Sequence, residues 1–506
     1  MDYPIWNLAM GGGMLMAIVA ISHVIVSHFA IGGGLLIAVT ETLAVKRDDP
    51  VLRELARRSS LMLILVSTVF GAISGVGIWV VAGLISPAAI SALIHTYVWG
   101  WAIEWVFFIL EIVAALVYYT TWDKISKGAH LLVGWLYFIA AYLSLVIING
   151  IITFMLTPGR WLETNAFWDG FFNPTYWPSL LLRTGIAILM ATAFMIFPAL
   201  KTGADRKADV LGYLGWWMVG GVLLSYAGYR WWEAMLPATV RHLFSGAEPA
   251  LATLAATRSF ALWSLTVALV VGVVILIVAP RLARVVTAVV MAVAAFAFFG
   301  GYERLREGAR KPFLIHSHLF SNGLLVSDIG TINEEGVLAR SGWAARGADD
   351  SLAMGRSVFR TECSSCHTRD GYQSIQRALP TYTDILEIAK GEGAGVFESE
   401  CGGCHGDSNE ADMRDMLPTP AEIVEDPATI HDLNRGMIYM AVSQLQEMGE
   451  VYRAAPRGEM IDTAKLHFSY MPPFVGSDEE LEALVEYLAL VAEGDGAEPA
   501  ANGGGQ

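Results

Sequence analysis

Eight stretches of the chain are almost uninterruptedly apolar, near residues 10–45, 60–86, 93–121, 129–157, 178–200, 210–236, 254–279 and 282–306. Each is long enough to cross about 30 Å of hydrocarbon as a helix, so the pattern predicts about eight transmembrane helices. An even number places both ends of the chain on the same side. The first apolar run follows Met1-Asp-Tyr-Pro-Ile-Trp-Asn, which has no basic n-region, and it is too long for the core of a signal peptide. It is expected to remain as the first helix. From Leu314 to about Asp350 the chain turns polar and Gly-rich, which reads as a tether passing His316 and His318. The expected organisation is a transmembrane domain over 1–313, a linker over 314–350, a small helical domain over 351–492 and a flexible acidic, Gly-rich tail over 493–506. The fold class is all-α: a polytopic membrane helix bundle plus a small all-α soluble domain.

Composition supports the membrane assignment, with 55% hydrophobic and 16% charged residues and a mean hydropathy of +0.49. Charge then orients the bundle. The first connection carries Lys46, Arg47, Arg53, Arg57 and Arg58, the third Lys124 and Lys127, the fifth Lys201, Arg206 and Lys207, and the seventh Arg281 and Arg284. The intervening loops are poorer in positive charge. Odd-numbered loops are therefore expected in the cytoplasm and both termini on the periplasmic side of a bacterial inner membrane. The net charge of −15, unevenly placed, argues against a nucleic-acid partner. Beyond Pro472 there is no Lys or Arg, only acidic groups such as Asp478, Glu479, Glu480 and Glu482. That surface suits a basic donor protein, or is simply solvated.

All four cysteines fall in two pentapeptides, Cys363-Ser-Ser-Cys366-His367 and Cys401-Gly-Gly-Cys404-His405. In C-x-x-C-H both thiols can form thioethers to haem, with the His as proximal iron ligand. Paired CxxC units also bind zinc, but here a His follows the second Cys directly both times. Two covalent haems c are expected, and the periplasmic attachment of such haems agrees with the orientation read from charge. Gly355 and Phe359 before the first motif, and Gly395 and Phe397 before the second, resemble the N-terminal helix of class I cytochromes c. Ser477-Asp-Glu-Glu480 opens a segment resembling their C-terminal helix with a capping box. Met471, in Tyr470-Met471-Pro472-Pro473-Phe474, resembles their sixth ligand and is assigned to the second haem. Only 38 positions separate Cys363 from Cys401, too few for a complete separate fold. The first haem's sixth ligand is open among Met413, Met416, Met437, Met440, Met448, His431 and His467, or its sixth position is vacant.

Ionisable groups within membrane spans call for a function. His23 and His28 lie in helix 1 on different faces, and Glu104 and Glu111, seven apart, share one face of helix 3. The last helix leaves through Tyr302-Glu303-Arg304-Leu305-Arg306-Glu307-Gly308-Ala309-Arg310-Lys311-Pro312-Phe313. This run also reads as a charged exit held by i, i+3/4 pairs, and the two glutamates as interhelical hydrogen-bond acceptors. In order, however, these features resemble subunit I of the cytochrome bd-type oxygen reductases. His23 is followed eighteen residues on by Glu41-Thr42, and Gly71-Ala-Ile-Ser-Gly75 matches a helix-2 Gly-x-x-x-Gly. Helix 3 reads Ile103-Glu104, Phe107-Phe108-Ile109-Leu110-Glu111 and Trp122-Asp123, and the exit Glu307-Gly-Ala-Arg310-Lys-Pro312-Phe313.

The resemblance implies that His23 and Glu307 are axial ligands of two high-spin haems, of b and/or d type. It places Glu104 beside them, Glu111 on a proton path, and Arg310 on haem propionates. His28, where the family has Pro, reads as a packing or hydrogen-bonded His. The family's low-spin haem ligands on helices 5 and 7 are missing, since the matching stretches are Leu182-Arg183-Thr184 and Arg258-Ser259-Phe260. The long quinol-binding loop between helices 6 and 7 is also missing, and a haem c domain stands where a ninth helix would. The quinol entrance is lost and another electron entrance gained. The expected activity is reduction of O2 to water with electrons received through periplasmic c-type haems. Expected partners are a second membrane subunit, cytochrome bd subunit II-like, and a one-electron donor such as a soluble cytochrome c. Two rival readings are a haem c relay on a degenerate membrane anchor and a quinol dehydrogenase passing electrons outward.

Overall fold

The computed structural model describes residues 6, 8–241, 244, 249–341, 350–379, 381–384, 424, 426–456, 458–463, 466 and 468–494. Eight helices are long and apolar enough to cross a membrane: α1 Gly12–Arg47, α2 Pro50–Ile85, α3 Val98–Thr120, α4 Lys127–Leu156, α5 Tyr176–Ala199, α6 Lys207–Met235, α7 Thr253–Val278 and α8 Val285–Gly308. This is the expected bundle, with two boundary shifts. Helix α2 starts ten residues earlier than its apolar run because Asp49 caps it, accepting from Val51 N (2.9 Å) and Leu52 N (3.2 Å), with Pro50 in the first turn. Hydropathy alone misses that amphipathic first stretch. Helix α3 starts later, because a separate short helix, Pro87–Thr96, takes the head of its apolar run.

Helix α5 is the most buried span, and α2 the least. Small residues let α5 approach its neighbours backbone to backbone. A Cβ at Gly32 of α1 would lie 1.9 Å from Ala187 O, and one at Gly228 of α6 would lie 2.4 Å from Leu182 N. The odd-numbered connections share one face. Arg206 Nη2 donates to Asp49 Oδ2 (2.7 Å), Arg53 Nη2 to Asp123 Oδ1 (2.5 Å) and Lys127 Nζ to Asp48 Oδ1 (3.5 Å). The first, third and fifth loops are thus tied together at the end of the bundle opposite the α8 exit.

The stretch expected as a linker is folded over its described part. After α8 the chain forms an antiparallel hairpin, β1 Phe313–Ile315 with β2 Leu319–Phe320, and then α9 Ile329–Glu335. Phe313, Phe320, Ile329 and Ile332 are buried in one cluster with the soluble domain. Polar and Gly-rich composition hid the alternation of these apolar anchors. His316 N donates to Met155 O at the end of α4 (2.9 Å), locking the hairpin to the bundle. Among the described residues the longer helices of the soluble domain are α10 Ser351–Glu362, α11 Pro427–Ala454 and α12 Asp478–Ala492. Ser477 and Glu480 form the expected capping box on α12. The Glu480 carboxylate also accepts from Val337 N (2.8 Å) and Leu338 N (2.9 Å), so the same side chain anchors the segment after α9.

Candidate haem sites and the polar groups around them

Cys363 caps the C-terminus of α10, its N–H donating to Phe359 O, and His367 N closes the next turn on Cys363 O (2.9 Å). This turn brings both thiols and the imidazole into one loop. Cys363 and Cys366 are not joined in a disulfide. Burial, reinforced by the neighbouring Glu362 carboxyl, pushes the Cys363 thiol up. Burial also pushes Glu362 well above the usual carboxylate range and lowers His367. His367 Nδ1 donates to Gln373 O (3.2 Å), which leaves Nε2 for a metal. These residues fit a covalently attached haem. Cys401, Cys404 and His405, with Met413, Met416 and His467, lie outside the described residues.

The first motif sits against the membrane domain. Cys366 Sγ is 4.0 Å from Ser321 Oγ, which donates to Pro312 O (2.8 Å), two residues beyond Arg310. Tyr372 N donates to Ala9 O (3.0 Å), just ahead of α1. The motif therefore rests on both the entry of α1 and the exit of α8.

His23 is half-buried in α1, its Nδ1 3.2 Å from Ser74 Oγ of α2. Ser74 Oγ donates to Phe70 O (2.7 Å), so it accepts from Nδ1–H and leaves His23 Nε2 free as a ligand. Gly75 faces the same ring, and a Cβ there would lie 3.1 Å from its Cε1. Glu307 ends α8 half-exposed and paired with Arg310. Arg310 Nε and Arg306 Nη1 are buried without a partner among the described residues. Orphaned cationic donors beside a carboxylate suit the propionates and iron of a haem. His23 and Glu307 share no hydrogen-bond partner among the described residues; the helices that carry them, α1 and α8, are in contact.

Glu104 and Glu111 both face α4. Glu104 Oε1 accepts from Ser144 Oγ (2.8 Å) and Glu111 Oε1 from Tyr137 Oη (3.2 Å). One further heptad along α3, Tyr118 Oη donates to Glu41 Oε2 (2.7 Å), and Glu41 Oε1 meets His130 Nδ1 (2.7 Å). His130 Nε2 also donates to Tyr118 O (2.9 Å). A polar stripe thus runs along the α3–α4 seam toward the odd-loop face. Sequence reading missed Tyr118 and His130, although the seven-residue step from 104 through 111 to 118 was visible.

A second missed group is fully buried. Arg183 of α5 donates through Nη2 to Glu303 Oε1 of α8 (2.7 Å) and faces His28 Nε2 of α1 (3.4 Å). His28 Nδ1 donates to Val24 O (2.7 Å) and its ring packs on Phe299, centroids 4.4 Å apart. Glu303 Oε2 also accepts from Arg306 Nε (3.0 Å), the i, i+3 pairing expected of the exit.

Bundle and motif together define a membrane-embedded, haem-bearing oxidoreductase of electron transport. Residues 13–204 match the family model described as cytochrome bd terminal oxidase subunit I, and residues 388–488 that of cytochrome c oxidase, cbb3-type, subunit III. A solved structure, described as that of bd oxidase from Geobacillus thermodenitrificans, aligns at 15% identity. The alignment covers 60% of this chain and 87% of that one, with a TM-score of 0.46. No curated protein matches the chain.

Proposed function

We propose that the chain is the catalytic subunit of a membrane-bound terminal oxidase that reduces O2 to water with electrons received through covalent haems c. The observation that carries this reading is the seat of Cys363–His367 on the entry of α1 and the exit of α8, the helices of His23 and Glu307. An electron entrance placed there needs no quinol site. Two high-spin haems, b and/or d in type, would supply the one-electron chemistry and the iron at which O2 is reduced. His23 Nε2 and the Glu307 carboxylate would hold them, and Arg310 with Arg306 would neutralise their propionates. Glu104 and Glu111 would move protons along the α3–α4 seam. Glu41 and His130 would load that seam from the cytoplasm, because the imidazole can take a proton on one nitrogen and release one from the other.

The subunit would lie in a bacterial inner membrane with the haem c domain in the periplasm, so oxygen reduction would be electrogenic. Apolar side chains exposed on α2 and α3, such as Phe70, Ile73, Trp99 and Trp105, suit lipid and a second, subunit II-like membrane partner. The acidic face around α12 suits a basic soluble cytochrome c as donor.

Oxygen uptake by the purified complex tests the reading. An ascorbate-reduced one-electron donor is expected to support cyanide-sensitive uptake, and a quinol is not. No uptake with either donor, in a preparation retaining all its haems, would favour a haem c relay. Uptake with quinol alone would overturn the proposed entrance.

A further inference from the structure

The order of the sequence, and the family match over 388–488, group Met471 with the second motif. The packing groups it with the first. Helix α10, which runs directly into Cys363, crosses α12, the helix that follows the Met471 loop. At the crossing Gly355 lies so close to α12 that a Cβ would be 2.0 Å from Ala483 O. One turn on, the rings of Phe359 and Tyr487 stand 5.7 Å apart. A second tie joins the ends of the two segments. Glu362, adjacent to Cys363, accepts from Val475 N through Oε2 (3.2 Å). Val475 is four residues beyond Met471, so Met471 is within about 14 Å of that contact even with the chain fully extended. Val358, Phe359, Phe474 and Val475 share one buried cluster, and Cys363 packs against it.

From these contacts we infer that Met471 is the second axial ligand of the haem carried by Cys363, Cys366 and His367, and that the haem of the second motif takes a different ligand. Helix, attachment motif, methionine loop and closing helix then form one complete cytochrome unit. The second motif falls in the sequence between the first motif and the methionine loop. This resolves why 38 positions between motifs suffice: the first motif does not need a closing helix of its own before Cys401. Tyr470, next to Met471, approaches the end of α8, where a Cβ on Gly308 would lie 3.2 Å from its Oη. Met/His ligation raises a haem's potential, so the haem c seated on the membrane domain is of the high-potential kind. Electrons would enter at the second motif and leave from the first. This order rests on the oxidase reading above; the ligand assignment does not.

The test uses the full chain in its membrane complex and reads the sulfur-to-iron charge-transfer absorption of ferric haem c. The Cys401→Ala/Cys404→Ala protein is expected to keep this band and to lose it on adding Met471→Ala, with its one covalent haem c retained. In the Cys363→Ala/Cys366→Ala protein, whose remaining haem takes another ligand, adding Met471→Ala is expected to leave the spectrum unchanged. Should either fail to accumulate, His405→Ala and His367→Ala, which keep the thioethers, are compared in the same way, with and without Met471→Ala. A protein holding only the first site that lacks the band, or one holding only the second site that loses its band on adding Met471→Ala, overturns the assignment. Oxygen uptake from the one-electron donor in the unmodified complex would then still stand, so the ligand assignment can fail without the oxidase reading.

Discussion

Arg183 Nη2 and Glu303 Oε1 form a 2.7 Å ion pair between α5 and α8, with the Arg183 side chain 1% and the Glu303 side chain 10% exposed. The pair stands where a helix-5 haem ligand is expected from the resemblance, and one residue away the α5–α6 seam closes on Gly228. Removing Arg183 leaves the buried Glu303 carboxylate with Arg306 as its one remaining ion-pair partner among the described residues, at a cost of up to about 3–5 kcal/mol. Arg183→Met is therefore expected to lower the thermal unfolding midpoint of the detergent-solubilised complex markedly. The double variant Arg183→Met/Glu303→Gln is expected to recover part of the loss. A single variant as stable as the parent would show that Arg306 alone satisfies Glu303.

The same closed seam predicts the pigment content. The reduced-minus-oxidised spectrum of the native complex is expected to show haem c and high-spin haem but no low-spin haem b. A bis-ligated haem b in the reduced-minus-oxidised spectrum would mean that α5 and α6 separate enough to admit one.

Gly75 offers a more local handle on His23. Its missing side chain leaves the imidazole in place, since a Cβ would lie 3.1 Å from Cε1. Gly75→Val adds two further methyl groups against that ring, displacing it from Ser74. The variant is expected to lose the haem held by His23 and most of the oxygen uptake, while both haems c remain reducible. Full retention of membrane haem would remove His23 as a ligand.

The bundle was legible because eight apolar runs of spanning length have few alternative folds, and the first haem motif because its chemistry sits in five consecutive residues. The helix ends were less so: the Asp49-Pro50 cap, not hydropathy, sets the start of α2. Residues whose meaning depends on a partner far along the chain were invisible. Arg183 reads as a missing ligand until Glu303 and His28 meet it, 120 and 155 positions away. The segment after α8 reads as a tether because Phe313, Phe320 and Ile329 are too widely spaced to show a period. Their partners lie in α11, where Phe313 and Phe320 meet Tyr452 and Ile329 meets Gly449. Met471 stands out by its Pro-Pro context and is assigned from order to the second haem; its packing beside the first motif depends on Glu362 meeting Val475, 113 positions away.

Glu480 tests how that segment is held. Its carboxylate accepts from Val337 N, Leu338 N and Ser477 N, the last at 3.0 Å. Glu480→Ala strands these donors, two of them buried, at a cost of about 3 kcal/mol. The variant is expected to unfold the soluble domain at lower denaturant and to speed proteolysis between α9 and α10. Glu480→Gln, which keeps one acceptor oxygen, is expected to be milder. Equal stability of Glu480→Ala and the parent would show that the hairpin alone holds the segment.

His431 supplies a pH dependence. Its Nδ1 lies 3.0 Å from Glu493 Oε2 and its Nε2 3.5 Å from Glu486 Oε1. The charges facing it across the α11–α12 seam are these two carboxylates and Arg435, which donates to Glu482 (2.5 Å) and whose Nε lies 3.2 Å from Glu486 Oε2. The Glu493 hydrogen bond, with the field of both carboxylates, holds His431 above its ordinary 6.5. A raised folded value means that the imidazolium stabilises the domain fully below pH 6.5 and stops doing so as pH rises through the folded value. The site is largely solvated, so the contribution is under about 1 kcal/mol. Subtracting the unfolding curve of His431→Gln from that of the parent is expected to leave a difference that is largest in mild acid and fades in base. Both imidazole nitrogens already face carboxylates, so the haem c absorption of His431→Gln is expected to match the parent. A changed Soret band would instead make His431 a haem ligand, and a stability difference that grew with pH would reverse the sign of the carboxylate effect.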